Sequence, residues 1–159
     1  MRNLIVTENI SLDGVAAPMD GWFDPAAQTP DLLAVNLEHR EAADALVLGR
    51  ITYQEFAAFW PKQVDDKTGI SAYLDRVSKY VVSSHLDRAD WAHTEILRGS
   101  PQKELAALKD QQGKDIVITG SVSLVQSLLS TGTPLLLPHA AELAPNAFPG
   151  LLEDRLGHG

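Results

Sequence analysis

No cysteine occurs in the 159 residues of the chain. That excludes a disulfide framework, a zinc–thiolate centre and a thiol nucleophile, and it suits a reducing, cytoplasmic setting. Basic charge is scarce as well: 13 Lys and Arg stand against 21 Asp and Glu, a formal net charge of −8. An acidic body of this kind attracts neither nucleic acid nor an anionic membrane surface, whereas a small anionic ligand answers to local groups and stays open. No apolar run approaches the length of a membrane span, and the segment from Met1 turns polar too soon for a signal peptide. His39, His85, His93, His139 and His158 show neither i,i+4 nor clustered spacing, so no metal site is expected. There is no G-x-S-x-G, which leaves Ser121 and Ser123 poor hydrolase nucleophiles. A P-loop is missing, and so is the G-x-G-x-x-G of a Rossmann dinucleotide site.

What is present is one domain's worth of globular composition, 45% hydrophobic and 21% charged, with no low-complexity linker. Its organising stretch is Asp44 to Trp60. Ala45-Leu46-Val47-Leu48 is a short continuous apolar run, as expected of a strand covered on both faces. Gly49 ends it and is expected to turn the backbone sharply where a ligand comes close. From Arg50 the apolar positions Ile51, Tyr53, Phe56, Ala57 and Trp60 read as an amphipathic helix, stopped by Trp60-Pro61. The unpaired N–H groups of its first turn, with Arg50 and Thr52, form a candidate anion site; an ordinary strand-to-helix turn fits the segment equally well.

The same pattern recurs. Asp115-Ile116-Val117-Ile118-Thr119 is a buried strand, and Gly120-Ser121 leads into a helix with Val122, Val125, Leu128 and Leu129 on one side. Between the two units, Lys79 to Ser84 is a strand ending in two hydroxyls, followed by His85 and Arg88. Leu4-Ile5-Val6 opens the first strand, expected to continue to Ile10 and close at Ser11-Leu12-Asp13-Gly14. Residues 15–28 form a long loop of the kind used as a lid, in which Trp22 or Phe23 could cover a ligand. Thr29-Pro30 starts a helix to about Ala43, with Leu32, Val35, His39 and Ala42 on one face. Ile70 to Val77 is a short helix, Thr94 to Leu97 a short strand, and Ser100-Pro101 starts a helix that Gly113 ends. Leu135 to Leu137 could add one strand. Repeated strand–glycine–helix units predict an α/β fold: a largely parallel sheet with helices on both faces and ligand-facing groups at its carboxyl edge.

From Met1 to about Leu129 the chain resembles the dihydrofolate-reductase-like superfamily. Within it the resemblance is to the reductase domain of the bifunctional riboflavin-biosynthesis protein, the RibD C-terminal domain, and its small stand-alone relatives. It is carried by Ser11-Leu12-Asp13-Gly14, Ala45 to Arg50 with Thr52-Tyr53, Lys79 to Ser83, and Gly120-Ser121 with Leu124. The resemblance implies NADPH across the carboxyl edge, its diphosphate between the helix starts at Gly49-Arg50 and Gly120-Ser121. By the same resemblance Ser83, Ser84 and Arg88 take the adenosine ribose and its 2′-phosphate, and Asp13 lies near the nicotinamide and substrate. The implied activity is hydride transfer to a small heterocyclic or imine-bearing substrate, similar to 5-amino-6-(5-phosphoribosylamino)uracil reductase or dihydrofolate reductase. A nucleotide-binding or assembly domain of the same fold, without turnover, is the alternative.

Three departures from the family pattern bear on that choice. Val15 replaces the lysine that follows Asp-Gly in riboflavin-type members. Gln54 to Trp60 supplies bulk but none of the basic residues that would hold a ribose phosphate. Residues 133–159 do not read as the family's closing strand and hairpin, so the C-terminal end is atypical. An incomplete sheet edge invites a second copy, which makes a homodimer plausible.

Overall fold

Four of the residues in the run Ala45 to Leu48 are fully covered, at 0 or 1% exposure. They form the middle of β2 (Ala43–Gly49), and the strand order explains the burial. In the computed structural model, which describes residues 1–8 and 29–136, five parallel strands lie in the order β1-β5-β2-β3-β4. The others are β1 (Leu4–Thr7), β3 (Ser78–Val82), β4 (Thr94–Leu97) and β5 (Asp115–Thr119). β2 is flanked by β5 and β3. A strand so placed is covered on both faces by the crossover helices that parallel pairing demands, so an unbroken apolar run is what it needs.

Among the described residues five helices supply the cover: α1 (Pro30–Ala42), α2 (Arg50–Phe59), α3 (Ile70–Arg76), α4 (Pro101–Asp110) and α5 (Val122–Ser130). Side chains alternate across the sheet. Leu46 and Leu48 point into one layer with Tyr53 and Trp60 beyond them and Tyr73 and Leu74 of α3. Ala45 and Val47 point into the opposite layer with Leu105 and Leu108 of α4 and Leu124 and Leu128 of α5. β1 divides in the same way, Leu4 and Val6 towards α4 and α5, Ile5 towards the other layer.

Most expected boundaries hold to within a residue or two, and the departures have physical reasons. Pro61 does not end the α2 segment abruptly: one 3-10 turn, Trp60–Lys62, follows, and proline at its second position forfeits a donor that the first turn of a helix leaves unpaired anyway. α1 starts where Thr29-Pro30 placed it, the Thr29 hydroxyl accepting from the Leu32 amide at 3.4 Å. It buries no side chain; Leu32, Val35 and His39 are half-buried and Ala42 is exposed. The extra apolar positions Leu33 and Leu37 spread its hydrophobic residues around the helix instead of gathering them into a stripe. In place of a strand at Leu135 to Leu137, the described chain makes a single parallel bridge on the free edge of β1. Val6 donates to the Leu136 carbonyl (2.9 Å) and Leu136 to that of Leu4 (2.8 Å). Leu137 lies outside the described residues.

Lys79 is the unexpected member of the core. At 0% exposure on β3, its ammonium donates to the carbonyls of Leu74 and Val77 at the end of α3 and lies 4.7 Å from the Trp91 ring centre. It satisfies carbonyls that the helix end would leave orphaned. No helix among the described residues is long and apolar enough to cross a membrane.

Candidate functional site at the carboxyl edge

Because the five described strands all run the same way, their carboxyl ends lie along one edge. β2 continues into α2 on one face of the sheet, while its neighbour β5 continues into α5 on the other. A crevice opens where neighbouring connections diverge in this way, and such switch points are where open α/β sheets bind ligands.

The two strand-to-helix junctions meet there through side chains 68 to 72 positions apart. The Gly49 amide donates to the Ser121 hydroxyl (2.8 Å), and the Thr52 hydroxyl donates to the Gly120 carbonyl (2.8 Å). Ser121 Oγ lies 3.2 Å from Thr52 Oγ1 and from the Thr119 carbonyl oxygen. Thr52 and Ser121 are both buried. Their hydroxyls are spent on joining the α2 start to the α5 start, and neither helix has a side-chain cap on its first turn. Two helix starts are therefore held side by side with backbone donors at their tips.

The two glycines serve different ends. Gly120 has φ +61, where an L side chain is strained, and an added Cβ would lie 3.1 Å from Thr52 Cγ2. Gly49 was expected at a sharp turn, yet its backbone is ordinary and extended, φ −73 and ψ 160. β2 runs straight into α2, and a Cβ there would touch Ser121 Oγ only at ordinary contact distance, 3.5 Å.

Around this centre the other sequence-nominated residues fall into groups. Arg50 is exposed at the first position of α2, with a guanidinium nitrogen 3.0 Å from Gln54 Oε1. Ser83, just past β3, is buried, and its hydroxyl accepts from the amides of Leu86 (3.0 Å) and His85 (3.2 Å), the bonding of a turn former. Ser84 is exposed, with its hydroxyl 2.9 Å from His85 Nδ1. Arg88 is exposed and paired with Asp90 at 2.9 Å. Leu124 belongs to the α4/α5 core layer. Asp13, Trp22 and Phe23 lie outside the described residues.

One residue that sequence reasoning missed stands closer to the centre than most of these. Glu8 follows Thr7, which pairs with Thr119, so it sits beside Gly120. The alternation that buries Leu4 and Val6 under α4 and α5 carries its side chain to the same face. Both carboxylate oxygens are buried, and neither makes a hydrogen bond of normal geometry. The backbone amides of Ser121 and Gly120 lie against the group and favour its charged form, but burial outweighs them and pushes its pKa up to about 7. The signal was present in the sequence: a charged residue continuing the inward alternation of a strand at the edge where ligands are expected.

Residues 2–133 match the RibD C-terminal domain. No curated protein matches the chain.

Proposed function

Since the chain belongs to the RibD C-terminal domain family, we propose that it is an NADPH-dependent reductase of a small heterocyclic or imine-bearing substrate. In this reading the dinucleotide lies across the carboxyl edge with its diphosphate at the paired starts of α2 and α5. The observation that carries it is the tie between those starts: Gly49, Thr52, Gly120 and Ser121 lock two uncapped helix tips side by side at the switch point. Two neighbouring helix starts, each with unpaired amides and the positive end of a helix dipole, suit a diphosphate better than a single phosphate.

The cofactor, when bound, supplies the hydride; the chain supplies position and electrostatics. Arg50 needs only to leave its Gln54 partner to reach an anion at the α2 start, a small cost for an exposed pair. Ser84 and Arg88 are the surface groups beyond β3 for the adenosine end and its 2′-phosphate, Arg88 exchanging Asp90 for a phosphate. Ser83 contributes by shaping the turn that presents them. Asp13 is the carboxylate assigned to substrate near the reacting carbon, where it would order a hydroxyl or amine.

The test has two stages. NADPH should quench or enhance protein fluorescence saturably and raise the melting temperature with concentration, as a ligand of the folded state must. With pterins or flavin precursors as acceptors, the absorbance of the reduced nicotinamide should then fall. Binding without consumption across that panel would mark a nucleotide-binding domain without turnover, and no binding would remove the cofactor from the account.

A further inference from the structure

A carboxylate at an anion site demands an explanation. The start of α5 is where the diphosphate is placed above, yet Glu8 already holds two unpartnered, buried oxygens against the Gly120 and Ser121 amides. An anionic ligand arriving there would meet an ionised Glu8 at close range in a site sheltered from water, where like charges repel strongly. A neutral Glu8 would meet it with an O–H donor instead, and O–H to phosphoryl oxygen is among the stronger hydrogen bonds.

We propose that uptake of a diphosphate-bearing ligand at the α5 start is proton-linked through Glu8, the ligand binding against the neutral carboxyl, whose O–H donates to a phosphoryl oxygen. The identity of that ligand as NADPH rests on the function proposed above; the linkage itself rests on where Glu8 sits. The surroundings isolate the effect. From β5 and α5, Glu8 faces uncharged Gly120 and Ser121, and from β1 its neighbour is Thr7. The α2 start adds Gly49, Thr52 and Arg50, whose guanidinium is turned to Gln54. Among the described residues no charged side chain contributes to the shift of the Glu8 carboxyl. Asp13, Asp20 and Asp24 lie outside them, and comparison with a Glu8→Gln protein removes their contribution along with the ligand's own titration. Glutamine has the shape of the neutral acid and keeps a donor.

The experiment measures dissociation constants for NADPH, by fluorescence, and for inorganic pyrophosphate, by calorimetry, from about pH 5.5 to about pH 8.5 on the wild-type and Glu8→Gln proteins. Above neutrality the wild-type constants should rise by up to about tenfold per pH unit, the limit for one linked proton. The Glu8→Gln protein should hold its acid-side affinity throughout, so that the two diverge steadily with pH. Identical pH profiles for the two proteins would overturn the linkage while leaving the cofactor in place. If NADPH binds neither protein but pyrophosphate shows the divergence, the cofactor assignment falls and the linkage stands. If neither NADPH nor pyrophosphate binds either protein, both fall. Should Glu8→Gln fail to fold, carbon-13 titration of the Glu8 carboxyl in the wild-type protein decides. A midpoint near neutrality that moves upward when pyrophosphate is added supports the linkage; a midpoint in the ordinary carboxylate range overturns it.

Discussion

Glu8 also leaves a mark on stability that needs no ligand. Its pKa in the folded protein, about 7, lies above the ordinary value of 4.5 that the unfolded chain would show. Between those values the folded state holds a proton that the unfolded state has released, so stability must fall as pH rises across that window. With an allowance for solvent screening at this partly buried residue, the loss amounts to roughly 1–2 kcal/mol. Glu8→Gln is expected to melt with the wild type at about pH 4.5 and several degrees higher at about pH 8 in thermal unfolding scans. Equal melting temperatures at the upper pH would show that the carboxylate is better solvated than its buried oxygens imply. Arg50 offers a second test at this scale. At the first position of α2 it stands beside the diphosphate in the proposed arrangement, so Arg50→Ala should weaken NADPH and NADH alike, by about tenfold for one exposed charge-assisted contact. A selective loss of NADPH in parallel titrations would move Arg50 to the 2′-phosphate.

At the scale of elements, the junction between α2 and α5 depends on a glycine for two separable reasons. Gly120→Ala forces a side chain into positive φ and presses its Cβ against Thr52 Cγ2, 3.1 Å away. The expected cost is about 1–3 kcal/mol. Thr52→Ser deletes that methyl and keeps the hydroxyl that donates to the Gly120 carbonyl. The double variant should therefore regain the steric part and not the backbone part, a coupling of about 1 kcal/mol in denaturant unfolding. Strict additivity would mean that the contact is absorbed elsewhere. This junction also marks the limit of what sequence discloses. The strands and helices were legible because their punctuation is local: Thr29-Pro30, Ser100-Pro101, the apolar runs of β2 and β5, and Gly120 before α5. The partners of Thr52 and Ser121 were not, because those hydroxyls choose each other across some 70 positions only once the sheet has formed. Gly49 misled for the opposite reason: composition suggested a turn, while the backbone there is ordinary extended chain with room for a Cβ. Leu124, nominated with the cofactor residues, lies where its apolar character takes it, in the core.

Over the whole molecule the net charge of −8 sets the terms on which any polyanion approaches. At about 0.01 M ionic strength the screening length is about 30 Å, so a dinucleotide nearing the carboxyl edge feels most of the acidic body. At about 0.15 M it falls to about 8 Å, and among the described residues the groups at the site itself, the tips of α2 and α5 with Arg50 and Glu8, dominate. Global repulsion then fades while the local amides, at contact distance, are little screened. Association of NADPH followed by stopped-flow fluorescence should accordingly speed up as salt is raised over this range, with dissociation nearly unchanged, the reverse of a ligand steered by a basic surface. In Glu8→Gln the acceleration should be smaller, because one of the repelling charges nearest the site is gone. Association that slows with salt would show that Arg50 and the two helix tips outweigh the rest of the protein even at long range, and the acidic surface would then have no part in setting how fast the site fills.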